Sequence, residues 1–578
     1  IRSADTCARN LEEEIIDMKE SLAWKIINKY RRFNNRWFPC GTRRRSVVDR
    51  FAAIFHSALD EGLGIVPRNI LRGFLHVLRE RSFFELSLDE QYRIWLENNE
   101  LSEDRLLEMQ KIASEFTYRP RISLVMPVYN TQKEWLRLTI DSVIRQSYSN
   151  WELCIADDAS TKENMREILT EYSGKYEQIR VKYLKKNLGI AGASNEALSM
   201  AEGEFIGFVD HDDELQSNAL FEFVKVLNQN KDLDLIYSDE DKKELSGQRV
   251  EPFFKPDWSP DLLMSMNYVS HLTIFRKTLI DKIGGFRQGF EGSQDYDLVL
   301  RFTELTNKIS HIPKPLYSWR KVPGSAATST QAKPYAKASA KKALSEALSR
   351  RGLEGEVLAG FGGHYRVRYR VRGSPLVSII VPTKDKIELL KRCVESIESK
   401  TLYENYEIII IDNDSADPDA ISYLRTVRHR VVRFNEPFNF SKINNLGAKL
   451  AKGEYLLFLN NDTEVVDGNW LESMLEHSQR PEVGIVGALL LYPPSADSRY
   501  RYTTIQHAGV ILGVGGVANH AFRGLPNEAS NYFGLHRVIR NCSAVTAACI
   551  MLRKNVFDEV GGFDEDFKIV FQDVDLSL

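Results

Sequence analysis

Short apolar runs that end in polar residues alternate with helical stretches from Arg121 onward. The first run is ISLVMPVYN, and a helical stretch through Ile144 separates it from a second run, WELCIADDAS. The alternation continues through VKYL, ASNEALSMA and FIGFVDHDD. Strands that alternate with helices predict βαβ units that build a mostly parallel sheet. Because ligands of such sheets bind at the carboxyl ends of the strands, we expect the chemistry of this chain at those polar tips.

The same pattern occurs a second time, beginning at Pro375 with SIIVPTKD and continuing through YEIIIIDNDS and EYLLFLNND. Pro127 to Asp157 and Pro382 to Asp412 both span 30 residues. The GGF and QD motifs of the first half recur in the second half in the same order. Unrelated α/β domains would share the alternation of strands and helices but not these spaced polar landmarks, so the repeat indicates an internal duplication.

The pattern divides the chain into four expected regions. They are a helical, basic N-terminal region (1–118), a first α/β domain (119–325), a joining helix and strand (326–374) and a second α/β domain (375–578). The chain begins with Ile and its last residues, DVDLSL, stop in mid-pattern. We therefore expect a fragment whose second domain is truncated at its C-terminus.

The N-terminal region combines helical spacing with positive charge. Residues 8–35 fit a coiled coil or an amphipathic helix, and Lys25 to Arg50 contains nine Lys or Arg against one acid, Asp49. A solvated helix that packs on its own protein and a helix that docks on an anionic membrane surface both remain open. The stretch from Asp89 to Glu115 also predicts a helix.

Composition is that of a globular protein, with 43% hydrophobic and 27% charged residues and a formal net charge of -3. The six cysteines show no CxxC pair or zinc-type spacing, so we expect reduced thiols. No apolar run approaches the ~20 residues that span a bilayer, and no signal peptide opens the sequence. We expect a cytoplasmic protein, with peripheral contact at the inner face of the plasma membrane as the open alternative for the basic region.

The motif FVDHDD places Asp210, Asp212 and Asp213 at the end of an apolar strand. Crowded carboxylates repel unless a cation or hydrogen-bond donors compensate them. A divalent ion such as Mg²⁺ or Mn²⁺ accepts one or two carboxylates and keeps positions for diphosphate oxygens. Taken alone, the motif would more often be a solvated turn or a helix cap.

Together with MPVYN, ADDAS, GSQDYDLVLR and HIPKPLYSWR, the motif resembles the family 2 glycosyltransferases of the GT-A fold. The resemblance covers about residues 120–325 and again 375–578. It implies an α/β fold with two tandem GT-A domains, which are Rossmann-like nucleotide-diphospho-sugar transferase domains.

The resemblance implies roles for individual residues of the first domain. Asp295 matches the catalytic base, and Asp212 and His311 match metal-side ligands. The nucleotide-sugar-binding set consists of Pro127, Tyr129, Asp158, Asn195, Asp210, Asp213 and Arg320. In this set Tyr129 would flank the nucleobase and Asp158 would accept a hydrogen bond from a ring N–H of uracil or thymine.

The second domain departs from this pattern. Asp573 matches the base and Asp462 is the single expected metal ligand. The nucleotide-sugar-binding set is Pro382, Asn413, Asn445 and Asn460. Asn413 stands where the first domain has Asp158, which keeps an acceptor oxygen but loses the charge. The counterpart of His311 is absent, so we expect one complete site and one reduced site.

The function implied by the resemblance is inverting, metal-dependent glycosyl transfer. A UDP- or dTDP-linked sugar would pass to a hydroxyl of a growing cell-surface glycan or lipid-linked glycan, with Mn²⁺ or Mg²⁺ as cofactor. We expect a bifunctional enzyme; the alternative is one active domain beside a non-catalytic carbohydrate-binding or scaffold domain. A nucleotidyltransferase would need a Gly-rich phosphate loop after the first strand, which MPVYNTQKE lacks. No nucleic-acid-binding motif occurs, so we expect no nucleic-acid partner.

Overall fold

The computed structural model describes residues 87–322, 334–494, 503–514, 517–528 and 531–578. The chain divides into two compact units, residues 1–99 and 100–578. The described part of the first unit contains the helix Leu88–Asn99. The basic stretch Lys25–Arg50 and its expected membrane contact lie outside the described residues. Among the helices of the described ranges, none combines the length and the hydropathy that crossing a membrane would require.

The first domain is built on a nine-stranded sheet in which strand order runs β3-β2-β1-β4-β8-β6-β9-β5, with β7 paired to β6. The strands are β1 (Ile122–Val128), β2 (Trp151–Asp157), β3 (Ile179–Tyr183), β4 (Phe205–Phe208), β5 (Glu214–Leu215), β6 (Leu235–Lys243), β7 (Arg249–Phe253), β8 (Thr273–Arg276) and β9 (Ile309–Arg320). Strands β1 to β4 are parallel, as predicted. Strand β8 joins them antiparallel to β4, which the periodicity did not predict.

Helices cover both faces of this sheet, because its central strands are apolar on both sides. The helices of this part are Glu103–Glu115, Lys133–Ile144, Glu163–Lys175, Gly189–Leu198, Ala219–Gln229, Pro260–Leu263, Lys277–Ile283 and Gln294–Phe302. The stretch Asp89–Glu115 is helical as predicted, but it forms two helices, Leu88–Asn99 and Glu103–Glu115. A new helix begins after Ser102, whose hydroxyl accepts a hydrogen bond from the Arg105 N–H at 3.2 Å and thereby caps it.

The joining region contains the predicted helix and strand. The helix is Pro334–Arg350, and strand β11 (Tyr365–Tyr369) pairs with an additional strand, β10 (Gly355–Ala359), as an antiparallel hairpin. Apolar residues of the helix and the hairpin belong to the same hydrophobic core as the first sheet. The described part of the joining region, residues 334–374, is therefore packed against the first domain.

The second domain repeats the first. Its sheet has the order β14-β13-β12-β15-β21-β16, and the first five strands stand in the same order as β3-β2-β1-β4-β8. These strands are β12 (Val377–Thr383), β13 (Tyr406–Asp412), β14 (Arg430–Arg433), β15 (Tyr455–Leu459), β16 (Ile485–Gly487) and β21 (Cys549–Arg553). The helices are Ile387–Lys400, Pro418–Thr426, Phe440–Leu450, Trp470–Ser478, Lys554–Glu559 and Gln572–Ser577. The duplication inferred from the sequence is confirmed in three dimensions.

Between β16 and β21 the second domain carries an inserted segment, residues 488–548. Its strands are β17 (Leu490–Leu491), β18 (Ile505–His507), β19 (Val510–Leu512) and β20 (Ala518–His520), and a 3₁₀ turn follows at Asn531–Arg537. Strands β17 and β18 form one two-stranded sheet, and β19 and β20 form another.

The two domains share a polar contact that is largely buried. Arg480 of the second domain forms an ion pair with Asp261 of the first, and the two side chains are only 11% and 8% exposed. Asn541 donates from Nδ2 to the same carboxylate at 2.9 Å. The hydroxyl of Tyr532 also bonds both backbone groups of Phe254, accepting from its N–H at 2.9 Å and donating to its carbonyl at 3.0 Å. The inserted segment is thus bonded directly to the first domain.

Candidate active site

The acidic turn after β4 divides its three carboxylates between two environments. Asp213 is buried, and its oxygens accept from the Tyr317 hydroxyl at 2.7 Å and from the Arg320 backbone N–H at 2.9 Å. Both donors lie on β9, so Asp213 fastens that strand to the turn. Asp210 keeps 39% of its side chain exposed. Asp212 is half-buried, which leaves these two carboxylates to face a ligand.

Burial raises the pKa of Asp212. The negative charge of Asp210 also raises it, whereas His211 and Arg320 lower it. Burial raises the pKa of Asp213 as well, followed by the charges of Asp210 and Asp212. A cation close to the turn would relieve this repulsion.

Asp295 lies in the first turn of the helix Gln294–Phe302, where the sequence predicted a helix start. Asn267 donates from Nδ2 to Asp295 Oδ2 at 2.8 Å, which fixes the orientation of the carboxylate. Burial raises the pKa of Asp295. His271 lowers this pKa, and the negative charge of Asp210 raises it further. A carboxylate with a raised pKa is a stronger base than a free aspartate.

His271 is a residue of this site that the sequence analysis missed. Its Nε2 lies 3.7 Å from Asp210 Oδ2. The ring stacks on Tyr317, with centroids 4.7 Å apart, and meets the edge of Trp319 at 5.3 Å. The residue comes just before β8, and the antiparallel pairing of β8 with β4 brings it to the acidic turn.

Lys255 holds the loop that carries His271. Its side chain is completely buried, and its ammonium donates to Glu240 Oε2 and to the carbonyls of Val269 and His271 at 2.7 to 2.8 Å. Three acceptors match the three protons of the ammonium. Burial lowers the pKa of Lys255, against the pull of Glu240.

A small cavity connects these groups. Asn267, His271 and Asp295 contribute its polar wall, and Phe208 and Phe286 are among its apolar residues. The structure therefore places Asp295 and His271 in the wall of one cavity, and Asp210 lies beside it, with its Oδ2 3.7 Å from His271 Nε2.

His311 lies in a different set of contacts. Its Nε2 is 2.8 Å from Asp239 Oδ1 and its Nδ1 is 3.0 Å from Asp257 Oδ1. The ring also stacks on Tyr237, with centroids 4.8 Å apart. Because both ring nitrogens are bonded to carboxylates, a metal could bind His311 only by displacing one of them. In the described part of the chain, no three His, Cys, Asp or Glu side chains are gathered so that they could hold a metal ion.

The residues expected on the nucleotide side lie near the ends of β1 and β2. Asp158 is buried, and its Oδ1 accepts from the Leu188 N–H at 2.6 Å. Tyr129 is 47% exposed, as a residue that stacks on a base would be. The carbonyl of Pro127 lies 3.2 Å from Nδ1 of His211, which links β1 to the acidic turn. Their part in nucleotide binding stays a prediction.

Asn195 and Arg320 are engaged within the protein. Asn195 bonds both backbone groups of Phe286 in the GGF turn, through Nδ2 to the carbonyl at 2.8 Å and through Oδ1 from the N–H at 2.9 Å. Arg320 is buried and donates to Glu214 Oε2 at 2.7 Å and to the Asp212 carbonyl at 3.0 Å. Their contacts indicate that both side chains shape the walls of the site, and direct contact with the nucleotide sugar stays a prediction.

The second domain repeats several of these contacts. Asn445 bonds the N–H and the carbonyl of Phe563 at 3.0 and 2.9 Å, as Asn195 does with Phe286. Asn413 is buried and donates to the Glu436 carbonyl at 3.0 Å, while its Oδ1 has no hydrogen-bond partner. A buried acceptor oxygen of this kind would suit a base N–H.

The tip of β15 and the expected base of the second domain lie around one peptide segment. The Asn460 N–H donates to the carbonyl of Ala548 at 3.0 Å. Asp573 accepts from the N–H of Ala547 at 3.1 Å. Asp462 is exposed, and Pro382 lies within β12, as Pro127 does within β1. The metal role of Asp462 and the nucleotide-binding role of Pro382 and Asn460 stay predictions.

Comparison with known proteins gives one family. Residues 123–284 and 378–561 both match the model of Glycosyl transferase family 2. An uncharacterized protein, y4gI of Sinorhizobium fredii, is 41% identical over 521 residues, which cover 88% of this chain and 56% of that protein. The O-antigen biosynthesis protein RfbC of Myxococcus xanthus is 42% identical over 478 residues, which cover 82% of this chain and 37% of RfbC. The chain thus spans about half, or less, of the length of these relatives.

Two further similarities are more distant. Chondroitin synthase of Pasteurella multocida is 30% identical over 200 residues, which cover 34% of this chain and 20% of that enzyme. Among solved structures, residues 1–349 of S. aureus TarS in complex with UDP-GlcNAc share 23% identity, with a TM-score of 0.33. That match covers 39% of this chain and 66% of the TarS chain.

Proposed function

Because the chain belongs to glycosyltransferase family 2, we propose that its first domain transfers a sugar, with inversion, from a UDP- or dTDP-linked sugar to a hydroxyl of a growing cell-surface glycan. The similarity to RfbC, an O-antigen biosynthesis protein, supports a polysaccharide as the acceptor. The cytoplasmic location and the membrane contact of the basic region remain predictions from the sequence.

One observation carries this proposal. Asp295 at the start of a helix lines one cavity together with His271, and Asp210 at the end of β4 lies beside this cavity, with its Oδ2 3.7 Å from His271 Nε2. An acidic turn for the sugar nucleotide and an oriented carboxylate of raised pKa are the two groups that an inverting transfer requires.

In the reaction we propose, Asp295 removes the proton of the acceptor hydroxyl while that oxygen forms a bond to the anomeric carbon. The bond from this carbon to the diphosphate oxygen breaks, and its electron pair leaves with the nucleoside diphosphate. Attack from the face opposite the leaving group inverts the anomeric configuration. Asn267 keeps Asp295 Oδ2 in place through its 2.8 Å hydrogen bond, and the apolar wall of the cavity limits access of water.

The acidic turn fits a divalent cation in part. Asp210 and Asp212 offer two carboxylates on its half-exposed side, which is the protein share that Mg²⁺ or Mn²⁺ commonly takes beside phosphate oxygens and water. Such an ion would supply positive charge against the departing diphosphate. The two bonds of His311 to Asp239 and Asp257 favour a ligand set without that histidine.

For the second domain we propose a transfer of the same kind, with Asp573 as the base. Its strand order, the Asn445 contact and the unpaired Oδ1 of Asn413 support a working nucleotide-sugar site. The alternative is a non-catalytic carbohydrate-binding domain, which the single carboxylate Asp462 in the acidic turn would favour.

The test is release of nucleoside diphosphate from UDP-, dTDP- and GDP-sugars with Mn²⁺ and a glycan acceptor. Asp295→Asn should reduce the first-site rate by ~10² to 10⁴-fold, since it removes the base. Asp212→Asn should reduce the rate more strongly at low metal concentration than at high metal concentration. Asp281→Asn changes a surface carboxylate of the same domain that forms an ion pair with Lys277; it is the matched control and should leave the rate unchanged. Release that survives both site variants would refute the assignment.

The second site is tested in a chain that already carries Asp295→Asn. Remaining release that disappears with Asp573→Asn would show a second active site. If Asp295→Asn alone abolishes release while the second domain still binds nucleotide sugars or glycans, the non-catalytic alternative holds.

A further inference from the structure

The inserted segment of the second domain carries three histidines that the proposed reaction does not use, and two of them, His507 and His520, contact each other. In the first domain, residues 244–272 connect β6 to β8. In the second, the corresponding connection from β16 to β21 is residues 488–548 and is about twice as long. His507 ends β18 and His520 ends β20 within it.

The sheet register shows that the second domain lacks the imidazole of the first site at its own position. Arg276 on β8 and Arg553 on β21 hold equivalent places against β4 and β15. Counting back five residues along each strand reaches His271 in the first domain and Ala548 in the second. A methyl group cannot donate a hydrogen bond, so this function is missing from the second strand.

The contacts of the two histidines determine where their protons lie. His507 Nε2 accepts from the backbone N–H of Gly509 at 3.2 Å and of Thr546 at 3.4 Å. That nitrogen is therefore unprotonated, and the proton of neutral His507 is on Nδ1. His507 Nδ1 lies 2.8 Å from His520 Nδ1 and donates to it. His520 Nδ1 is then an acceptor, and the remaining proton of His520 is on Nε2.

The histidine pair and the expected base share one piece of backbone. The N–H of Thr546 bonds His507, and the N–H of the next residue, Ala547, bonds Asp573 at 3.1 Å. The carbonyl of Ala548, one residue further, accepts from Asn460 at the tip of β15. The pair therefore lies beside the base, two residues along this backbone from the carbonyl that Asn460 contacts.

Both rings are kept neutral by their surroundings. Burial lowers the pKa of His507 to about 3, and His520 and Arg540 act in the same direction. Burial and Arg523 also lower the pKa of His520, against the opposing charge of Asp573. A neutral pair preserves the tautomers described above across the physiological range.

We propose that the Nε2–H of His520 donates a hydrogen bond to an oxygen of the transferred sugar in the second domain and so takes the place of His271. The inserted segment supplies this N–H, and His507 locks its tautomer. The link through Thr546 and Ala547 to the base Asp573 puts the pair on the side of the site where the sugar would react. His520 is thus a residue that determines sugar specificity, and this inference rests on the function proposed for the second domain.

The tautomers are tested without any activity. In the full chain labelled with ¹⁵N-histidine, NMR should show His507 protonated at Nδ1 and His520 protonated at Nε2 near pH 7.5, with His520→Gln and His507→Gln assigning the signals. A His520 that is protonated at Nδ1 would overturn the inference.

Binding is tested with UDP and dTDP compared with UDP-glucose, UDP-N-acetylglucosamine and dTDP-rhamnose, in a chain carrying Asp210→Asn and Asp212→Asn, which removes both ligand-facing carboxylates from the acidic turn of the first site. His520→Ala should weaken binding of the matching nucleotide sugar to the second domain about 3- to 10-fold and leave binding of the bare nucleotide unchanged. His520→Gln keeps an amide N–H and should restore part of the affinity. His429→Gln, which changes a histidine paired with Glu398 elsewhere in this domain, is the matched control.

Each result has one meaning. Equal losses for nucleotide and nucleotide sugar, or no loss in His520→Ala, would overturn the specificity role. If no nucleotide sugar shifts the His520 Nε2 signal, the inference falls, whereas release from the unmodified chain that depends on Asp295 would still support the function of the first domain.

Discussion

The buried ion pair between Arg480 and Asp261 should stabilise the contact between the two domains, and replacing Arg480 with Leu tests its size. The substitution leaves the Asp261 carboxylate in a site that is only 8% exposed. Breaking a buried pair from one side typically costs ~3 to 5 kcal/mol, because a charge is left uncompensated. Asn541 still donates to Asp261 Oδ2 at 2.9 Å, so we expect the lower end, about 3 kcal/mol. Loss of Arg480 from the face of Tyr369, 4.9 Å from its centroid, is part of this cost.

A double-mutant cycle separates the pair from its surroundings. Asp261→Asn combined with Arg480→Leu removes both charges, and the double variant should be more stable than the sum of the single losses by at least ~1.5 kcal/mol. Urea unfolding followed by the fluorescence of the eight tryptophans gives the four free energies of unfolding, those of the parent chain, the two single variants and the double variant. Single losses that simply add in the double variant would refute the reasoning, since they would show that the two charges do not interact.

Three further predictions follow from burial and space. Gly447→Ala should destabilise the second domain by ~1 to 3 kcal/mol, because its Cβ would collide with Ile380 of β12. Gly174→Ala lies at an exposed position of a helix and its Cβ would have nothing within 4 Å, so this substitution should stabilise the protein by ~0.5 to 1 kcal/mol in the same thermal melts. First-site transfer should rise as pH increases through the raised pKa of Asp295, because only the carboxylate accepts a proton, and a flat pH-rate profile would contradict this role. Burial lowers the pKa of His507 to about 3, so as the pH falls the unfolded chain takes up this proton before the folded chain does. The free energy of unfolding should therefore decrease by ~1.4 kcal/mol for each unit that the pH falls between about 6.5 and 3. The thermal midpoint of His507→Gln should depend less on pH over that window.

Much of the fold followed from the sequence because strand periodicity and spaced landmarks are local signals. The parallel strands, the duplication and the helix start at Asp295 were all predicted from such signals. The partners of the site were not, because His271 reaches Asp210 only through an antiparallel strand whose pairing leaves no trace in the periodicity. His311 was expected as a metal-side ligand from the family resemblance, and its bonds to two carboxylates could not be foreseen because they depend on the register of β6 and β9.

Other contacts could not be predicted from the sequence, because they also depend on pairing between distant segments. The bonds of Asn195 to the GGF turn join residues 91 positions apart. The His507 and His520 pair depends on a segment that has no counterpart of equal length in the first domain. Sequence pattern predicts which elements form, whereas pairing across insertions and between domains is decided by packing that only the folded chain shows.

Because Tyr532 of the second domain forms hydrogen bonds with Phe254 of the first, the first domain is not structurally independent of the second. Phe254 is followed by Lys255, whose buried ammonium holds the carbonyl of His271. A first domain cut from the second would lose the Tyr532 hydroxyl and the Phe533 ring that stacks on Phe253 at 4.2 Å, and would expose apolar surface beside its own catalytic loop. When a first domain is exchanged between related enzymes, residues 531–541 would therefore have to be exchanged together with the first-domain residues that they contact.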